Sequence, residues 1–184
     1  MKKLYIEGTA DTDNGSLKIA FARFLEKELK GNLPRIVMGD GRSQTIAKFC
    51  ATPLMQGEER FLLVDSDKFP FDRSEEFRQF MEAIPNVVTK CTDDNTFFMI
   101  QEVESWILSQ PDVLKRQVGI NVPEHPTAYL LSMHKPSEQL QKHYKSQHKN
   151  YHKVSEFIKI LPQIDTKKLS DDFEDFKNLI AALK

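Results

Sequence analysis

Short unbroken apolar runs alternate along this chain with longer stretches of helical period. Leu4-Tyr5-Ile6 marks a strand over Lys3–Glu7, which ends in Glu7-Gly8 and a polar loop containing Asp11 and Asp13. From Ser16 to Lys30, Leu17, Ala20, Phe21, Phe24, Leu25 and Leu29 recur with the spacing of one helix face, and Gly31-Asn32 supplies a stop. Ile36-Val37-Met38 marks a second strand, followed by a turn at Gly39-Asp40-Gly41-Arg42 and a helix over Thr45–Ala51. Phe61-Leu62-Leu63-Val64 has no polar alternation, which is how a strand covered on both faces reads. A helix over Ser74–Ala83 follows, with Asp72 and Glu75 spaced as in a capping box. Val87-Val88 suggests a short strand and Phe97-Phe98-Met99-Ile100 a further buried one, leading into a helix near Trp106. Pro111 suits the first position of the next helix. Residues 119–136, with Pro123, Pro126 and Pro136, read as loop, and Tyr151–Leu161 and Ser170–Leu183 as amphipathic helices.

Strands alternating with helices predict an α/β domain: a mostly parallel sheet flanked by helices, with a helical C-terminal portion. The whole chain, 1–184, is expected to be one domain, with an α/β core over 1–118 and loop plus helices over 119–184.

The chemistry is at the strand ends. In such sheets ligands bind beyond the carboxyl ends of the strands, and acids stand there: Glu7 after the first strand, Asp65 and Asp67 after the third, and Glu102 and Glu104 after Ile100. One acid after one strand is often a helix cap. Carboxylates brought together from several strands repel each other unless a cation lies between them. Hard oxygen ligands suit Mg²⁺ or Mn²⁺. Two residues on a helix are about 200° apart, so only one of Glu102 and Glu104 can join such a site. Trp106, beside them, reads as a core anchor.

Composition narrows the classes. Hydrophobic residues make up 40% of the 184 and charged residues 29%, as in globular domains. No apolar run could span a bilayer, and Glu7 interrupts the start too early for a signal peptide. Cys50 and Cys91 have no metal-ligand spacing, so a cytoplasmic location is expected. The net charge of −1 restricts any nucleic-acid contact to a local patch.

Several segments together resemble known proteins. Glu7-Gly8 and Asp65-Ser66-Asp67 are similar to the glutamate and Asp-x-Asp motifs of TOPRIM-type nucleases and primases. More narrowly, Tyr5-Ile6-Glu7-Gly8, Arg35-Ile36-Val37 running into Gly39-Asp40-Gly41-Arg42, Leu62-Leu63-Val64-Asp65-Ser66-Asp67, Met99-Ile100-Gln101 through Glu104-Ser105-Trp106, and Tyr151-His152-Lys153 appear in the order of a bacterial family. That family comprises small TOPRIM-like proteins related to the nuclease domain of the overcoming-lysogenization-defect (OLD) proteins. The resemblance implies a TOPRIM-like fold and metal-dependent cleavage of DNA or RNA in antiphage defence, often beside an ABC-type ATPase partner. It implies Glu7, Asp65, Asp67 and Glu104 as metal ligands and Lys153 as the basic catalytic member. Arg42 is implied as a phosphate contact and Gln101 as a donor behind the ligands. Where relatives often carry an acid, this chain has Gln110, with Asp112 nearby.

The tract from Lys142 to Lys153 is basic, and Lys142, Lys145 and Lys149 are candidate phosphate contacts with tyrosines interleaved. An exposed helix face would read the same way. His148 and His152 have the i, i+4 spacing that can share a metal. Two other functions stay open. One is a non-catalytic accessory subunit docking on an ATPase, since the chain has no phosphate-cradling glycine loop. The other is an aspartate-dependent phosphatase, whose nucleophile strand Phe61–Asp67 resembles, although Phe69 departs from it. Self-association is also open.

Overall fold

In the computed structural model, the described residues are 1–9, 14–51, 53, 55–66, 70–83 and 90–184. Strand β1 (Lys2–Glu7) leads to helix α1 (Asn14–Leu29), β2 (Arg35–Gly39), α2 (Arg42–Ala51), β3 (Glu59–Asp65), α3 (Arg73–Ala83) and β4 (Thr96–Met99). Then follow α4 (Glu104–Leu108), α5 (Pro111–Val118), α6 (Thr127–Leu131), α7 (Pro136–Ser146), α8 (Lys153–Ile160), a 3₁₀ turn at Leu161–Gln163, α9 (Thr166–Asp172) and α10 (Glu174–Leu183). Among the described residues the sheet is four-stranded and wholly parallel, in the order β2-β1-β3-β4. This is the expected class, a parallel sheet flanked by helices with a helical C-terminal portion, and it is consistent with a TOPRIM-like fold.

The strand order decides where a site can form. From β1 the chain moves outward to β2, then crosses back over β1 to β3 on its other side. With right-handed crossovers, this reversal puts successive helices on opposite faces. Accordingly, Phe61 and Leu63 of β3 lie in a core with α1, α8 and α10, while Leu62 and Val64 pack with Ile46 and Phe49 of α2 and Phe80 of α3. The continuous apolar run of β3 is explained by these two covers. β1 and β3 are neighbours at the reversal, so their carboxyl ends open a crevice there.

The buried positions of α1 are Leu17, Ala20, Phe21, Phe24, Leu25 and Leu29, the same set its periodicity picks out. Trp106 is 1% exposed and packs on Phe24 and Phe176, as expected of a core anchor. Asp72 accepts a hydrogen bond from the Glu75 N–H at 2.8 Å, capping α3, and Pro111 opens α5.

Three expectations differ from the structure. The proline-rich stretch 119–136 contains α6, which begins directly after Pro126, a residue unable to continue a helix but well suited to precede one. The single helix expected over Ser170–Leu183 is two, broken at Phe173, which is extended at φ −129° and 1% exposed. Burying that ring among core side chains, rather than continuing the helical period, sets the break. His148 lies in the turn after α7 with φ +57°, so its spacing to His152 is not helical. The suggested strand at Val87-Val88 lies outside the described residues.

Candidate active site

Glu7 ends β1 and Asp65 ends β3, on adjacent strands at the topological reversal. The Glu7-Gly8 pair has a steric reason. A Cβ on Gly8 would stand 2.6 Å from the Gly39 carbonyl oxygen, so the ends of β1 and β2 close together only over a glycine. By alternation Asp65 shares the face of Phe61 and Leu63, whereas Glu7 belongs with Tyr5. The Glu7 carboxylate nonetheless reaches across the strand ends, where its Oε2 accepts a hydrogen bond from the Asp65 N–H at 3.1 Å.

Asp65 carries a strongly perturbed carboxyl. Its Oδ1 is shut off from solvent and has no hydrogen-bond partner among the described residues. Loss of solvent holds its carboxyl well above the ordinary aspartate range; Glu7 pushes it further up, and Lys153 opposes the shift. Glu104 and Glu102 add smaller upward pushes.

Glu104 is the first residue of α4 and is fully buried. Its Oε1 accepts from the Tyr151 hydroxyl at 2.9 Å and lies 3.1 Å from Lys153 Nζ, while its Oε2 is buried without a partner. Burial and the Glu104 carboxylate together hold the Tyr151 hydroxyl far above the usual tyrosine range. Glu102 points elsewhere: its carboxylate accepts from the Ser137 N–H at 2.8 Å, at the start of α7. Glu102 precedes α4, so helical rotation does not apply to this pair; the two glutamates differ in the partners they face.

Lys153 is the first residue of α8. A cation in the first turn of a helix opposes the helix dipole, so its place depends on the acids it faces. Glu104, Asp65 and Glu102 all raise the affinity of its ammonium for a proton, against desolvation that lowers it. Lys153 thus faces acids from the ends of β3 and β4.

A cleft of about 190 Å³ opens over this group. Glu7, Gly8, Thr9, Asp65 and Lys153 form its polar side, and α1, β4 and α8 supply an apolar side that includes Leu17, Phe21 and Phe157. Asp67 lies outside the described residues, as do Asp11, Asp13 and Phe69. Among the described residues no three of His, Cys, Asp and Glu group closely enough to hold a metal ion by themselves. The orphaned oxygens of Asp65 and Glu104 are nonetheless the kind of buried acceptor that a hard cation satisfies.

The family model described as "Domain of unknown function (DUF4276)" matches residues 9–184. The chain belongs to the DUF4276 family. No curated protein and no solved structure matches it. The matched span begins just after Glu7 and takes in Asp65, Asp67, Glu104 and Lys153.

The remaining sequence candidates of this DUF4276 chain are dispersed. Arg42 opens α2, with its guanidinium over the Phe80 ring at 5.5 Å and 3.5 Å from Glu76, and it does not line the cleft. Gln101 has φ +55°; its N–H donates to Ser66 Oγ at 2.6 Å, and its side-chain oxygen accepts from the Lys135 N–H at 3.1 Å. It therefore braces the segment after Asp65 against the start of α7. Lys142 and Lys145 are exposed on α7, whereas Lys149 binds the Val118 and Gly119 carbonyls at the end of α5. In the sequence Tyr151 stands out only within Tyr151-His152-Lys153 and as a tyrosine of the basic tract; its bond to Glu104 depends on how the segment between α7 and α8 meets the start of α4. No helix among the described residues is long and apolar enough to cross a membrane.

Proposed function

We propose that this DUF4276 protein is a metal-dependent nuclease that hydrolyses phosphodiester bonds of DNA or RNA. The observation that carries this reading is Asp65: a carboxylate at the switch point of a parallel sheet, with Oδ1 buried and unpartnered, beside Glu7 and opposite Lys153. A carboxylate kept in such a place costs folding stability, and sites of that kind concentrate at functional centres. Glu104 Oε2 is a second orphan of the same sort.

Glu7, Asp65 and Glu104, with Asp67, are the residues that would hold Mg²⁺ or Mn²⁺. When bound, the ion would polarise the phosphate and lower the pKa of the attacking water. Glu7 is oriented by the Asp65 N–H. Lys153, on the wall of the cleft, is placed to meet a non-bridging phosphate oxygen as charge develops on it. Tyr151 holds the Glu104 carboxylate in register with Lys153. The resemblance of Glu7-Gly8 and Asp65-Ser66-Asp67 to TOPRIM-type motifs supports the same reading, because Glu7 and Asp65 stand at the ends of neighbouring strands. The relation to OLD nucleases, an ABC-type ATPase partner, antiphage defence and a cytoplasmic location rest on resemblance alone.

The test is cleavage of plasmid, single-stranded DNA and structured RNA with Mg²⁺ or Mn²⁺. Metal-dependent cutting by the wild type and its loss in Asp65→Ala and Lys153→Ala is the expected result. Cutting that survives Asp65→Ala refutes the site. A folded protein that cuts nothing, alone or with an ATPase partner, selects the accessory-subunit reading instead.

A further inference from the structure

The cleft beside Asp65 is built for more than a phosphate. Its polar side carries Glu7, Asp65 and Lys153, while Leu17, Phe21, Met99, Val103, Val154 and Phe157 make the rest apolar. The Phe21 and Phe157 rings sit against each other, 5.5 Å between centroids. Water and metal chemistry at the acids requires none of this apolar surface. Thr9 also lines the cleft, and its hydroxyl oxygen is buried without a hydrogen-bond partner among the described residues. The Thr9 backbone, by contrast, is satisfied through Asn14, with N–H to Oδ1 at 3.3 Å and C=O from Nδ2 at 2.9 Å. A turn of the Thr9 side chain would bring this hydroxyl to a ligand in the cleft.

On the nuclease reading, with a cation at the acids, the occupant joins a negative group to a compact, mostly apolar body with a polar edge. At roughly 30 Å³ per water, the cleft has the capacity of a handful of waters, the scale of one planar heterocycle. A nucleotide has this construction: phosphate at one end, and at the other a flat base with apolar faces and hydrogen-bonding edges. In a continuous duplex the bases are stacked and paired, out of reach of any such cleft unless the nucleotide is unstacked.

We propose that the cleft receives one unstacked nucleobase next to the phosphate held at Asp65 and Lys153, with Thr9 bonding the base edge, so that single-stranded or frayed nucleic acid is the substrate. The substrate assignment rests on the nuclease reading; the base site itself can be tested by binding alone.

Binding of a short labelled single strand is compared by fluorescence anisotropy with binding of an abasic strand of equal length, for deoxyribose and ribose in turn. Wild type is expected to bind the base-bearing strand about tenfold more tightly, as base contacts of this kind typically do. Val154→Trp and Val103→Trp, at half-buried positions on two different segments of the cleft wall, are expected to abolish that preference with melting temperatures unchanged. A preference retained in both folded variants, or no preference in the wild type, overturns the inference. If closed circular duplex is cut as fast as single strand, the inference falls and the nuclease reading stands. If nothing is cut while the base preference and its loss in both variants hold, the nuclease reading falls and the base site stands.

Discussion

Lys153 Nζ lies 3.1 Å from Glu104 Oε1, joining a side chain 46% exposed to one that is fully buried. The asymmetry determines what each partner does. Lys153 can lose its acid and remain hydrated, whereas Glu104 without Lys153 is left as a buried charge held by the Tyr151 hydroxyl. Lys153→Ala is therefore expected to cost about 1–3 kcal/mol, below the value for a wholly buried pair because the lysine is partly solvated. Adding Glu104→Gln should recover much of the loss, since the amide needs no counter-charge. Urea unfolding of the two single variants and the double variant measures this coupling. Additive effects would show that the pair does not interact.

Asp65→Asn tests the acid site by stability as well as activity. An amide of the same shape removes the repulsion from Glu7 and suffers less from loss of solvent. The variant should be more stable than wild type without metal, by about 1 kcal/mol. Mn²⁺ should raise the melting temperature of the wild type but not of Asp65→Asn, because a ligand stabilises only the state that binds it. Equal shifts in both proteins would mean the ion binds elsewhere.

How far the sequence reveals the site depends on the range of the interaction. Glu7 and Asp65 are legible because a buried strand declares itself by a continuous apolar run, and a parallel sheet puts the ends of its strands on one side. Helical rotation does not distinguish Glu104 from Glu102, because α4 begins only at Glu104. The Tyr151–Glu104 bond, the Thr9 orphan and the stacking of Arg42 on Phe80 have no local signature, because each depends on how distant elements pack. The same holds for α6 and for the break at Phe173, where tertiary burial overrides the local pattern.

Asp175 reaches from α10 to the sheet. Its Oδ2 accepts from the Phe98 N–H at 2.8 Å, and its Oδ1 bonds Arg73 Nε at 2.6 Å. Asp175→Ala removes both bonds and strands a buried N–H on edge strand β4, for an expected loss of about 2–4 kcal/mol. Asp175→Asn can keep the acceptor for Phe98 and should cost less. Chemical denaturation ranks the two; equal losses would assign the whole effect to Arg73.

Burial pushes the Cys91 thiol up to about 12, and neighbouring Cys50 adds to the shift. An acid whose folded pKa is raised favours the folded state below its unfolded pKa, near 9, and that contribution is lost as pH rises toward 12. Tyr144 and Tyr151 are shifted in the same direction. The urea midpoint should fall as pH rises above 9, and fall less steeply in Cys91→Ala. The native thiol should resist maleimide at neutral pH and react on unfolding. Parallel pH curves for wild type and variant would rule out a contribution from Cys91.

The partners of the site come from opposite ends of the sequence: Glu7 from the first strand and Lys153 from a late helix. During synthesis from the N-terminus, the acids emerge long before the lysine that balances them. A nascent chain therefore carries an incomplete centre until α8 has left the ribosome.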